Sequence, residues 1–198
     1  MNTAPIPTSE ARRLKVLWQY DVLDTVPEEI FDDMVELASV ICESPIALIS
    51  LVDESRQWFK ARVGMPAQET SRDISFCAHA IMHPDLFVVP DATSDERFKA
   101  NPLVTTDPKI RFYAGAPLVT PDGHALGTLC VLDKVPRELT DVQAKALRVL
   151  SRLVVTQLEL RRQSKELLKA RDDTQFLKRE LEKTRAHLDE LERDKPVC

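Results

Sequence analysis

The chain has 198 residues, 43% of them hydrophobic and 30% charged, with a formal net charge of −5. That length buries one real core with an extension to spare, and the acidic balance excludes the basic footprint of a nucleic-acid binder. Four cysteines without repeating spacing make no disulfide framework, and no apolar run has signal-peptide or membrane-span length, so a cytoplasmic protein with reduced thiols and no membrane partner is expected.

Residues 1–8, with Pro5 and Pro7, read as a flexible tail. Ser9 stands where it can cap a helix carrying Leu14, Leu17 and Trp18 on one face. Thr25 and Glu28, with Pro27 between them, have the form of a capping box. The helix it would open carries Ile30, Met34, Leu37, Ala38 and Ile41 at helical spacing and stops before Pro45. The run PIALISLV is almost wholly apolar and predicts a central strand buried on both faces. A turn at 53–56 follows, and QWFKARV returns as a more exposed strand.

Between Pro66 and Pro108, short apolar groups are separated by Pro, Asp, Asn and Thr, which predicts one short helix, one short strand and structured loops. A loop-rich insert between strands is where a binding cleft is expected. Ile110, Phe112, Ala114, Ala116 and Leu118 then alternate with other residues, as do Leu126, Thr128, Cys130 and Leu132 beyond the hairpin signal Asp122-Gly123. Pro136 stops the sheet, and Thr140 with Gln143 opens a long helix through a second capping box. The order of elements predicts an α+β domain: a mainly antiparallel sheet, terminal helices on one face and the insert on the other.

From Thr140 the helical pattern runs to about Lys195 without Gly or Pro. At 1.5 Å per residue this is roughly 80 Å, more than a domain of this size needs. Leu153, Leu160, Leu167, Leu181 and Leu188 fall at one heptad position, with Thr174 as the exception. Val149, Thr156, Gln163, Ala170, Leu177, Thr184 and Leu191 fall at the other. In a parallel, in-register pair the flanking residues meet as Glu166–Arg171, Asp173–Lys178, Glu180–Arg185 and His187–Glu192, none like-charged. A homodimeric coiled coil is therefore expected, with Leu153, Leu160, Leu167, Leu177, Leu181 and Leu188 as its dimerisation residues. Its polar seam residues make it only moderately stable, so small ligand energies can shift its packing.

Five phrases in order carry a family resemblance: YDVLDTVPEEIFDDMVELA, IALISLVDESRQWFKARVG, SFCAHAI, VVPDATSDERFKANPLV and IRFYAGAPLVTPDGHALGTLCVLD. Together they resemble the GAF domain, a small-molecule-sensing module, and in particular the GAF domains that begin bacterial sensor histidine kinases and diguanylate cyclases. The resemblance covers 9–160 as the sensor domain and leaves 161–198 as a signalling helix. It implies a sheet of about six strands, a ligand pocket under the insert, homodimerisation through the terminal helices and a kinase or cyclase effector. It names no ligand or cofactor.

Cys77-Ala78-His79 is the most suggestive local cluster, a thiol near an imidazole. The same residues equally suit one helical turn with Cys77 packed as a small hydrophobe. Cyanobacteriochrome-type GAF domains place histidine directly after the attachment cysteine, and Ala78 breaks that pattern here. Arg111 and Tyr113 share a strand parity beside Gly115, where they can present a cation and a phenol to an anionic or aromatic ligand. Asp73, Asp91 and Asn101 from the insert complete the candidate site, although turn wiring accounts for each alone. Cys42 and Cys130 read as core, no metal site is expected, and His187 reads as a coiled-coil flank because Leu188 follows it.

The leading functional expectation is a non-enzymatic sensory module in which a small molecule or redox input changes the cleft and paired helices carry the change onward. One rival is a GAF-fold thiol enzyme of the free methionine sulfoxide reductase type, disfavoured because the insert holds only Cys77. Another is a ligand-free dimerisation scaffold whose pocket its own side chains fill.

Overall fold

The computed structural model describes residue 4 and residues 6–193, with side chains as far as 185. Half of the expected tail (residues 1–3 and 5), the seam residues Leu188 and Leu191, and His187 and Cys198 therefore lie outside the described side chains. Residues 1–159 form one compact unit and 160–198 a second.

Six strands build one sheet: β1 (Ile46–Val52), β2 (Arg56–Val63), β3 (Glu69–Ser71), β4 (Phe87–Val89), β5 (Phe112–Val119) and β6 (Ala125–Asp133). Their order is β3-β2-β1-β6-β5-β4, and every pairing is antiparallel. The apolar run sits where its composition demands, since β1 is buried throughout between β2 and β6. The β5–β6 hairpin closes through a three-residue loop. Gly123, at φ +82°, donates its N–H to Thr120 O, and Thr120 N–H donates to His124 O.

The sheet separates two cores. On one face Leu14, Leu17, Phe31, Val35, Ala38, Leu147, Val154 and Leu158 pack on Ala47, Ile49, Ala114, Leu129 and Val131. These come from helices α1 (Glu10–Gln19), α2 (Glu29–Cys42) and the first turns of α5 (Asp141–Arg193). On the other face Phe76, Cys77, Phe98 and Val104 of the insert pack on Leu48, Tyr113, Cys130 and Leu132. The expected division of helices and insert between the two faces is what forms.

Several local expectations change. The insert holds two short helices, α3 (Phe76–Ala80) and α4 (Pro102–Thr105), two short strands, β3 and β4, and a 3₁₀ turn over Arg72–Ile74. The Thr25–Glu28 box does not form: α2 starts after Glu28, which stands at the N-cap without a side-chain cap, and Thr25 Oγ1 donates back to Val22 O at 2.7 Å. Instead Lys60 Nζ donates to Thr25 Oγ1 at 3.0 Å, Val26 O at 2.8 Å and Glu28 Oε1 at 2.6 Å. Lys60 reaches them because β2 carries a bulge. Ile49 pairs with Ala61 and Ser50 with Phe59, so Lys60 is the extra residue, which breaks the alternation and buries a strand expected to be more exposed. Ser9 makes no side-chain cap. The buried face of α2 is Phe31, Val35, Ala38 and Cys42, while Ile30 and Leu37 point outward. Trp18 is likewise exposed, with Nε1 donating to Asp53 Oδ1 at 3.0 Å. The Thr140–Gln143 box forms reciprocally, at 3.0 and 3.3 Å.

Candidate functional site

The insert presses α3 onto β5 and β6. Ser75 Oγ accepts from the Ala78 N–H at 3.0 Å, and this cap fixes the short helix with Cys77 facing the sheet. Cys77 Sγ lies 3.7 Å from Cys130 Sγ on β6. The Tyr113 hydroxyl donates to Cys77 Sγ at 3.4 Å and stands 3.4 Å from Thr128 Oγ1. Beyond Thr128, across the β1–β6 ladder, Ser50 donates to Gln57 Oε1 at 3.2 Å. Ser75 Oγ bonds that same oxygen, and Gln57 Nε2 donates to Thr70 Oγ1 at 2.9 Å. The result is a buried polar group at the centre of the sheet, satisfied by its own members.

Aromatic rings close over it. Phe76 stacks on Phe98 at 4.1 Å and on Tyr113 at 5.2 Å, and His79 meets the Phe98 ring edge-on at 4.8 Å. Gly115 leaves the space that the tyrosine tip takes: a methyl there would stand 2.7 Å from Tyr113 Cζ and nearer still to its hydroxyl. Burial raises the Cys77 thiol, but hydrogen bonds from Cys130, Thr128, Tyr113 and Ser50 outweigh it and hold Cys77 below the ordinary thiol range. Burial, reinforced by the Cys77 charge, pushes Tyr113 and Cys130 up.

Of the expected site residues, Cys77 and Tyr113 touch, and His79 joins them through the Phe98–Phe76 stack. Asn101 stands one step away: its Oδ1 accepts from Leu103 N at 2.9 Å and its Nδ2 donates to Ile74 O at 3.0 Å, tying α4 to the 3₁₀ turn. Arg111 is half-buried, and its Nη1 donates to Val104 O at 2.9 Å and Ile110 O at 3.0 Å. Asp91 accepts from Thr93 N and Oγ1 at 2.9 and 2.7 Å, and Asp73 is exposed. The sequence reading overlooked Cys130, Thr128, Ser50, Gln57 and Ser75 as members. Thr128 and Cys130 shared a strand parity, which was the signal available. Among the described residues no group of three or more His, Cys, Asp or Glu is arranged to hold a metal ion, and no helix is long and apolar enough to cross a membrane.

A second feature lies on the opposite side of the same unit. Leu37 and Ile41 of α2 and Val142, Ala146, Val149 and Leu153 of α5 line an open apolar groove. Further along α5, Leu160, Leu167, Leu177 and Leu181 are 52%, 72%, 65% and 69% exposed.

A family model described as the GAF domain matches residues 26–158. A curated relative from Pseudomonas aeruginosa, a cyclic di-GMP phosphodiesterase, is 43% identical over 159 residues, which is 80% of this chain and 27% of the relative. The chain therefore spans about a quarter of that relative's length. The expectation of a non-enzymatic protein is corrected by this finding, because the relative is named for an enzyme activity. Among solved structures, the GAF domain of a phosphoenolpyruvate-protein phosphotransferase from Coxiella burnetii has a TM-score of 0.59 at 13% identity, covering 79% of this chain and 98% of that one. A domain of a two-component sensor histidine kinase from Sinorhizobium meliloti has a TM-score of 0.54 at 17% identity, covering 72% and 97%. The free methionine-R-sulfoxide reductase of Neisseria meningitidis has a TM-score of 0.57 at 16% identity, covering 83% and 99%. At these identities the three share the fold alone.

Proposed function

The chain belongs to the GAF domain family, and from that premise we propose that it is the sensory segment of a cyclic di-GMP phosphodiesterase, pairing with its own copy through α5. A small molecule or a redox input acts on the cluster under the insert. The paired helices pass the change to the phosphodiesterase part, in place of the kinase or cyclase effector suggested by the sequence resemblance. The 43% identity to the Pseudomonas enzyme supports the choice of effector.

The observation that carries the pairing is the row of leucines on α5, each about half or more exposed in the single chain. Burying one such side chain contributes about 1.5–3 kcal/mol, against which the cost of association must be set. The apolar groove between α2 and α5 supports the same reading, since a second copy would cover it.

A second reading is favoured by one specific observation. The Phe76, Phe98 and Tyr113 rings occupy the space under the insert, as a scaffold without a ligand requires. Native mass spectrometry of freshly purified chain separates the two, because a retained small molecule adds mass that the scaffold reading does not allow.

The functional reading is tested by exchange. This chain is substituted for the matching segment of the Pseudomonas enzyme, and cyclic di-GMP hydrolysis is measured with and without Leu160→Lys and Leu167→Lys. Turnover should depend on the two leucines; turnover indifferent to them contradicts the proposal.

A further inference from the structure

We propose that Cys77 and Cys130 are a peroxide-reactive dithiol site that closes into a reversible disulfide. This gives the redox input of the sensory reading a chemical form, and it rests on that reading only for its purpose.

Two thiols from distant segments, 53 residues apart, are brought to 3.7 Å inside the fold. Reaching the bonded separation of about 2.0 Å takes a movement of under about 2 Å, within the reach of side-chain rotation. Neither sulfur sits in a purely apolar hole. Tyr113 and Thr128 hydroxyls surround the pair, and Cys77 accepts from Tyr113. Cys42 provides the internal contrast: it ends the buried face of α2, and burial pushes its thiol up to about 11. A thiolate is the nucleophile in sulfur oxidation, so Cys77 reacts where Cys42 does not. Burial of both sulfurs, at 2% and 0% exposure, limits the oxidant to one little larger than water, which hydrogen peroxide is.

The step balances as follows. Cys77 sulfur attacks one oxygen of the peroxide, the O–O bond breaks, and the other oxygen leaves as water carrying the thiol proton. Cys77 is now a sulfenic acid. Cys130 sulfur attacks Cys77 sulfur, the S–S bond forms, and the S–O bond breaks. The hydroxyl departs as a second water with the Cys130 proton. Two electrons pass from the sulfurs to the peroxide, and a dithiol reductant reverses the change. Closure draws α3 toward β6 and takes from Tyr113 the thiol it donates to, leaving Thr128 as its partner.

The test uses the full chain. It is reduced, freed of reductant, exposed to hydrogen peroxide at a dose that fully oxidises glutathione alongside, alkylated under denaturing conditions and cut with trypsin. The expected product joins peptides 73–97 and 112–134, lighter by two hydrogens than their sum and separated by dithiothreitol. A Cys42→Ser, Cys198→Ser double variant should give the same link. Cys130→Ser should give none and leave a Cys77 sulfenic acid that dimedone traps, its fold checked by circular dichroism. Recovery of both Cys77 and Cys130 alkylated, or a link that pairs Cys42 or Cys198 instead, overturns the proposal. If the bond forms but peroxide leaves hydrolysis by the exchanged enzyme unaltered, the dithiol site stands and the redox form of the sensory reading fails.

Discussion

Replacing Gly115 by alanine tests the packing of the candidate site in one atom. The added methyl would lie 2.7 Å from Tyr113 Cζ and 3.0 Å from Cε1, inside van der Waals contact, and its nearest neighbour would be the hydroxyl. A surface tyrosine would swing away. Tyr113 cannot, because it is fully buried and held by the Phe76 ring at 5.2 Å and the Phe87 ring at 6.0 Å. Overpacking of this kind costs about 1–3 kcal/mol, and displacing the hydroxyl from Cys77 and Thr128 costs about 1 kcal/mol more. The sum of roughly 3 kcal/mol corresponds to a melting point lowered by about 6–12 °C in a unit of this size. Scanning calorimetry reads it. Adding Tyr113→Phe removes the closest atom, so the double variant should recover part of the loss and show coupling of about 1 kcal/mol in a mutant cycle. A Gly115→Ala protein that melts within about 1 °C of the parent would refute the reasoning.

Two further outcomes follow from the ion pairs. Lys60→Met removes the Lys60–Glu28 ion pair, in which the carboxylate is 31% exposed and stays hydrated, so the expected cost is roughly 2 kcal/mol, below the 3–5 of a fully buried pair; urea denaturation checks it. Glu10 gains from Arg13 and Arg72, whose hydrogen bonds outweigh burial and lower its pKa from 4.5 to about 2. A lowered acid stabilises the fold above its unfolded pKa and stops doing so as pH falls through the folded one. The parent should therefore lose stability more steeply than Glu10→Gln between about pH 4.5 and 2, and parallel melting curves over that window would argue against the pair.

What the sequence revealed was what local physics decides. The Gly123 turn, the Thr140–Gln143 box and the apolar run of β1 each follow from a few neighbouring residues, and all three form. What it hid needed the third dimension. The bulge at Lys60 depends on pairing with β1, so alternation alone misassigned the exposure of QWFKARV. Ser50 is the one polar residue of the β1 run, and only the β1–β6 ladder places it opposite Thr128. Cys130 reads as core and is core, yet its meeting with Cys77 joins segments 53 residues apart, which no spacing rule reaches. The helix α2 is apolar on two sides, so its sequence did not say which face meets the sheet and which forms the groove with α5.

Light scattering on the purified chain bears most directly on the proposed pairing. At micromolar concentration and above, the expected mass is twice the 22.4 kDa of the chain. The Leu160→Lys, Leu167→Lys protein should return the single mass with its circular dichroism of the folded domain kept. A parent chain that stays at 22.4 kDa as concentration rises would contradict the account.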